Sequence, residues 1–261
     1  MLQLKANPGF ADTRWSCKTL REAFESALKE SGWSATADAC VLVGLFDLDD
    51  WLPWLAGAYA MLDAQEQQRV QRRRAVVDRD QLALSYALHR LLLGKALDCD
   101  PAEVPIGRDA AGCPCLPGGI LCTSLSHADR RALALAITAT GRVGVDIESS
   151  NRASVMPELA ERVCHPHEMA ELRLLAEPAR SEALLALWVR KEAYLKAAGI
   201  GLQREMGTFA APRDALLELP GGELTRVRML EVGPHWIAAV AGAPEVPIAS
   251  SWLRICTAGT E

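Results

Sequence analysis

The hexapeptide GVDIES, residues 144–149, sets two acids between aliphatic neighbours. In an extended chain residues two apart share a face, so Asp146 and Glu148 point one way and Val145 and Ile147 the other. Such a strand has an aliphatic face to cover. Its acidic face is either solvated or a cation site.

The surrounding segments predict what covers it. A strand-like run, ACVLVGLFDL (39–48), precedes helical periodicity over 63–97 with an arginine-rich middle. The turn-rich stretch GRDAAGCPCLPGG leads into strand-like runs at 120–125 and 131–138. A tight turn in TATGRVGVDIE then feeds the acidic strand, and the order repeats. Helices are expected over 155–176 and 181–198, and strands over 206–210, 225–232 and 235–241. The pattern predicts an α+β fold, a pseudo-dimer of two similar α/β halves, residues 39–140 and 141–261, with a ligand cleft between them. Residues 1–38 read as an N-terminal extension with one helical segment, TLREAFESALKESGW.

Half of the 261 residues are apolar, enough for a sizeable core, and the net charge of −5 argues against chain-wide attraction to nucleic acid or anionic membrane. No apolar run approaches the ~18 residues of a membrane span, and MLQLKANPGFADTRW lacks an apolar core after its basic residue. A cytoplasmic monomer with neither nucleic-acid nor membrane partners is expected. The eight cysteines are scattered without secretory features, which favours reduced thiols. CPC at 113–115, near Cys122 and His127, does not have the spacing of paired zinc ligands. In VCHPHE (163–168) Pro166 suits a first helical position and Glu168 can reach back to the cap, which makes His165 and His167 capping-region residues.

The second unusual stretch is LWVRKEAYLKAAGIGL, 187–202. At helical spacing Trp188, Lys191, Glu192, Leu195 and Lys196 share one side, and a core-facing stripe does not normally carry three charges. Alone, it reads as a partly exposed helix with a Glu192–Lys196 ion pair. Combined with the acidic strand it offers three hard oxygen ligands, Asp146, Glu148 and Glu192, beside two cations, Lys191 and Lys196. A magnesium-bound diphosphate is held by such a set. Ser126 and His127, in LSHADRRALALAI, stand before a strand where a hydroxyl and an imidazole can contact phosphate.

The ordered set GCPCLP (112–117), SLSH (124–127), GVDIE (144–148) and WVRKEAYLKAAGIGL (188–202) resembles the Sfp-type 4'-phosphopantetheinyl transferases, over residues 40 to 241. The resemblance implies coenzyme A and Mg²⁺ in a cleft between two halves. It matches Asp146, Glu148 and Glu192 to metal ligands, Lys191 and Lys196 to the basic positions of the motif, and Ser126 and His127 to phosphate contacts. Gly112 and Pro114 match a glycine-lysine-proline turn against coenzyme A, with Cys113 where lysine is usual. Ser124 stands where asparagine is common. Gln81 and Leu82 replace residues that often include an arginine near the nucleotide, and Arg69, Arg72, Arg73, Arg74 and Arg79 are either compensating charge or a solvated helix face.

The implied reaction moves the phosphopantetheine arm of coenzyme A to a serine of an acyl or peptidyl carrier protein, releasing adenosine 3',5'-bisphosphate. Glu192 is the candidate base, Lys196 and His127 the candidate stabilisers of developing charge; the residues leave open whether Glu192 is base, ligand or both. The segment SSNRASVMPELAERV offers Arg152, Arg162, Met156 and Leu159 to an acidic carrier, or is an ordinary amphipathic helix. The motif form resembles members serving polyketide and nonribosomal-peptide synthesis. A magnesium-dependent phosphodiesterase, a non-catalytic carrier-binding module and a zinc-stabilised interaction domain are the alternatives weighed.

Overall fold

The computed structural model describes residues 19–34, 36–109, 112–201 and 204–255. In chain order the strands are β1 (Val41–Asp47), β2 (Gly107–Arg108), β3 (Pro114–Cys115), β4 (Cys122–Ala128), β5 (Ala132–Thr138), β6 (Gly144–Ser149), β7 (Leu216–Glu218), β8 (Leu224–Leu230), β9 (Trp236–Gly242) and β10 (Ile248–Trp252). The α-helices are α1 (Leu20–Glu30), α2 (Leu48–Trp51), α3 (Leu55–Met61), α4 (Ala64–Gln71), α5 (Val76–Leu97), α6 (Ala160–Val163), α7 (Pro166–Leu172) and α8 (Ala179–Ala198). Two four-stranded sheets form, ordered β10-β1-β5-β4 and β6-β9-β8-β7, with β2 and β3 as a separate small hairpin.

Strand alternation assigns the layers. In β1, Leu42 and Phe46 face the helices of the first half, while Val41, Val43 and Leu45 face the second sheet. β5 divides likewise, Leu133, Leu135 and Ile137 against Ala132, Ala134 and Ala136. From the second sheet, Val145 and Ile147 of β6 and Ala238 and Val240 of β9 complete that middle layer. A third core lies beyond it, where α8 covers β6, β9 and β8. The aliphatic face of GVDIES therefore meets the first half and its acidic face meets α8. The architecture is two similar sheet-and-helix units back to back, as a pseudo-dimer requires.

The helix in the extension forms as α1, capped by Thr19, whose side chain accepts from the Glu22 N–H while Glu22 returns to the Thr19 N–H. Its buried stripe, Leu20, Ala23, Phe24 and Ala27, belongs to the first core, with the Phe24 ring 6.4 Å from those of Phe46 and Trp51. The beginning of the extension, residues 1–18, lies outside the described residues.

Several expected elements differ. The helix over 63–97 is two helices, α4 and α5, because Asp63 and Glu66 both bind Arg90, buried in the middle of α5. In one continuous helix these acids would be roughly 36–40 Å from Arg90. The helix over 155–176 is instead 3-10 turns at Ser150–Leu159 followed by α6 and α7, broken where Pro157 and Pro166 remove amide donors. The strand over 206–210 is a 3-10 turn, Met206–Thr208, with the carbonyls of Met206 and Phe209 accepting from a buried lysine rather than a neighbouring strand. Residues 141–261 do not all stay in the second unit: β10 returns to pair in parallel with β1. Among the described residues no helix is long and apolar enough to cross a membrane.

Candidate functional site

The edges of the two sheets meet where β4 lies along β6, and an edge strand brings unpaired backbone groups that need partners. The Val145 amide donates to Ser124 Oγ at 3.1 Å, and the Val145 carbonyl accepts from Lys196 Nζ at 3.0 Å. One residue further, Ser126 Oγ and Lys196 Nζ both donate to Asp146 Oδ1, each at 2.7 Å. Side chains from β4 and α8 thus converge on a single carboxylate oxygen carried by β6. The other oxygen, Asp146 Oδ2, is buried with no hydrogen-bond partner.

Gly144 makes this approach possible. A Cβ there would lie 2.0 Å from the Ala193 carbonyl oxygen and 2.4 Å from the Ala197 nitrogen, so any larger residue would force α8 off the strand. Along α8, Trp188, Glu192 and Lys196 recur at i, i+4 and i+8 and are half-buried on the seam side. The expected Glu192–Lys196 pairing gives way to Lys196–Asp146. Glu148, two residues after Asp146, is paired with Arg152, whose guanidinium also lies over the Trp188 ring at 4.9 Å.

The electrostatics follow from crowding acids in a desolvated place. Burial pushes the Glu148 carboxyl up to about 7, with the negative charge of Asp146 adding and Arg152 opposing. Glu192 is raised for the same reasons, burial first and Asp146 next, against Lys196 and Arg152. Among the described residues no three His, Cys, Asp or Glu side chains close into a ready-made metal cluster. The donor set nevertheless fits a hard dication. It holds a buried, unpartnered carboxylate oxygen and two neighbouring carboxyls whose ionised forms are penalised until positive charge arrives.

His127 follows Ser126 on β4. Its side chain is exposed, yet the protein packed around it lowers its pKa through partial desolvation, and the charges of Lys196 and Arg73 lower it further against Asp146, so at neutral pH the uncharged imidazole is favoured. Of the arginine run, Arg73, in the break between α4 and α5, is the one whose charge reaches His127. The turn bearing Gly112, Cys113 and Pro114 joins β2 to β3; Gly112 has φ +83°, a conformation that L side chains rarely adopt. Burial and then Asp109 raise the Cys113 thiol, while Arg108 and Lys196 pull it down, which puts Cys113 within electrostatic reach of the Asp146 cluster.

Lys191 is not brought to this cluster. Its ammonium is fully buried and donates to the carbonyls of Val163 (2.7 Å), Met206 (2.8 Å) and Phe209 (2.7 Å) and to Glu168 Oε2 (2.6 Å). All of its donor capacity is used inside the second unit, which corrects its reading as a phosphate contact. The docking segment also changes. Met156 is buried in the second core and Arg152 is held on Glu148, leaving Arg162 exposed and Leu159 half-buried. Sequence reasoning gave Ser124 no role beyond its departure from asparagine, and the edge-strand position of Val145 was the missing signal.

Residues 142–239 match the model of the 4'-phosphopantetheinyl transferase superfamily. A curated relative from Nostoc sp., the 4'-phosphopantetheinyl transferase HetI, is 33% identical over 120 residues, 44% of this chain and 50% of that protein. A 4'-phosphopantetheinyl transferase of Bacillus subtilis is 24% identical over 190 residues, covering 70% of this chain and 83% of that one. A phosphopantetheinyl transferase of Thraustochytrium sp. is 30% identical over 186 residues, 64% of each chain. The chain therefore spans only half the length of the Nostoc relative. What these comparisons show is likeness: over residues 142–239 the chain is similar to the 4'-phosphopantetheinyl transferase superfamily, and over part of its length to these relatives.

Proposed function

We propose, from that superfamily likeness and the seam geometry, that the chain is an Sfp-type enzyme moving the 4'-phosphopantetheine arm of coenzyme A to a serine hydroxyl of an acyl or peptidyl carrier protein, with release of adenosine 3',5'-bisphosphate. The observation that carries this reading is the convergence of Ser126, Asp146 and Lys196 across the seam, with Glu148 and Glu192 beside them.

Asp146, Glu148 and Glu192 are the residues that would hold Mg²⁺, which when bound supplies charge neutralisation and Lewis acidity to a diphosphate. Lys196, already on Asp146, is placed to share its charge with a phosphate oxygen brought to that carboxylate. His127, uncharged at neutral pH, serves such an oxygen as a neutral hydrogen-bond donor. Ser126 orients Asp146 from the opposite sheet edge. The carrier serine is a weak nucleophile and needs a proton acceptor; Glu192, whose carboxyl is raised, is the better matched for holding that proton. The Gly112–Cys113–Pro114 turn, whose Cys113 feels the charge of Lys196, is the segment assigned to lie against the coenzyme.

Intact-mass analysis of acyl and peptidyl carriers after incubation with coenzyme A and Mg²⁺ tests this. The parent protein is expected to add one phosphopantetheine arm, and Asp146→Ala to add essentially none while remaining folded. Cleavage of coenzyme A without any carrier modification would replace transfer by hydrolysis.

A further inference from the structure

Arg152 lies between two groups that face the seam. Its guanidinium is ion-paired with Glu148, four residues earlier, and its carbon lies 4.9 Å over the ring of Trp188, the first residue of the 188-192-196 row on α8. The contact links the end of β6, the 3-10 turns after it and α8.

We propose that Arg152 is a positioning residue that holds the Glu148 carboxylate while no cation is bound and yields it when a divalent cation arrives, with the Trp188 face retaining the guanidinium. This rests on the reading of Asp146, Glu148 and Glu192 as a cation site. Two cations cannot both take the same face of one carboxylate without repelling each other, so Arg152 and the incoming ion compete. A guanidinium stacks on an indole without needing a carboxylate, so Trp188 gives Arg152 somewhere to remain after Glu148 is released. The arrangement keeps Glu148 ordered, and it lowers cation affinity in return.

Calorimetric titration with Mg²⁺ alone, without coenzyme A, tests the competition. Arg152→Gln removes the competitor and is expected to bind Mg²⁺ roughly five- to tenfold more tightly than the parent, the scale of one half-buried charge pair. Arg152→Lys keeps the charge and is expected to return the affinity towards the parental value. Trp emission supplies a second readout: Mg²⁺ changes the parental signal, and the change disappears in Trp188→Phe and in Arg152→Gln although both still bind the ion. Unchanged or weaker binding by Arg152→Gln overturns the proposal, as does a lysine variant that binds as tightly as the glutamine variant. Asp146→Ala separates this from the underlying reading: Mg²⁺ binding that survives unaltered in that variant would overturn the cation site itself, and the role of Arg152 with it.

Discussion

The helices α5 and α8 occupy similar places, each lying across the outer face of one sheet, yet they use their polar side chains differently. On α5, His89 and Arg90 are both buried and both committed within the first half. His89 Nε2 meets Thr123 Oγ1 at 2.6 Å, and Arg90 donates to Asp63, Glu66 and the carbonyls of Pro101, Ala102 and Val104. On α8, Lys191 is committed in the same way to Glu168 and three carbonyls, but Glu192 and Lys196 turn to the seam. The difference lies in what their partners leave over. The acceptors of Arg90 and Lys191 are filled by those cations, whereas Asp146, the partner of Lys196, keeps a buried oxygen unfilled. Of the two scaffolds, one has chemistry to offer a ligand.

The sharpest way to break this comparison is to remove the two lysines of α8 separately. Lys191→Ala leaves Glu168 buried without its cation and is expected to destabilise the protein by about 3–5 kcal/mol, read by denaturant unfolding. Lys196→Met, at a half-buried position, is expected to cost no more than ~1 kcal/mol of stability and to abolish carrier modification. A Lys191 variant of parental stability that had merely lost coenzyme A affinity would return Lys191 to the site.

Acid should strike the first half at α5. Burial lowers the His89 pKa from 6.5 to about 3, with Arg108 and Arg90 adding to it, so the folded protein keeps this imidazole neutral. The unfolded chain takes up the proton near pH 6.5 and the folded chain near 3. The contribution is therefore fully present above pH 6.5 and is lost progressively as pH falls between those values, on the order of a few kcal/mol. His89→Gln should flatten that part of the stability profile. An unchanged slope would show that His89 is not its source.

The smallest expected effect is at the turn beside the site. Cys113 carries an uncharged thiol there, raised by burial. Cys113→Lys is expected to tighten coenzyme A binding by ~0.5–1 kcal/mol at low salt, the gain being held down by repulsion from Arg108 and Lys196 and shrinking as salt is added. Calorimetry at two ionic strengths measures it, and no gain at low salt would place Cys113 out of reach of the phosphates.

Much of this was legible because period reports burial. The strands β1, β4, β5 and β6 and the helix α8 lie within or close to their expected spans, and the alternation of GVDIES correctly separates a face against the other sheet from a face against α8. Sequence could not tell Lys191 from Lys196. Both belong to one motif, and what separates them is a set of carbonyls from residues 163, 206 and 209, brought together only by folding. Arg152 reads as facing a partner because, although Glu148 stands only four residues earlier, the Trp188 ring under its guanidinium is brought there from α8 only by folding. The strand β10 was missed because IASSW has neither strong alternation nor a neighbouring partner in sequence; its partner β1 lies about 200 residues earlier.

That pairing ties folding to the order of synthesis. β1 is apolar on both faces and stands between β5 and β10, so a nascent chain that has emerged only as far as β9 presents β1 with one edge open. An open edge on such a strand invites pairing with another chain. The first sheet is therefore completed last, by residues made after the whole second sheet, and the two halves cannot be expressed as separate pieces at residue 140 without exposing that edge. A nascent chain must protect β1 through most of its translation, and a ribosome stalled before Ile248 would release a product whose defect lies in the half that was made first.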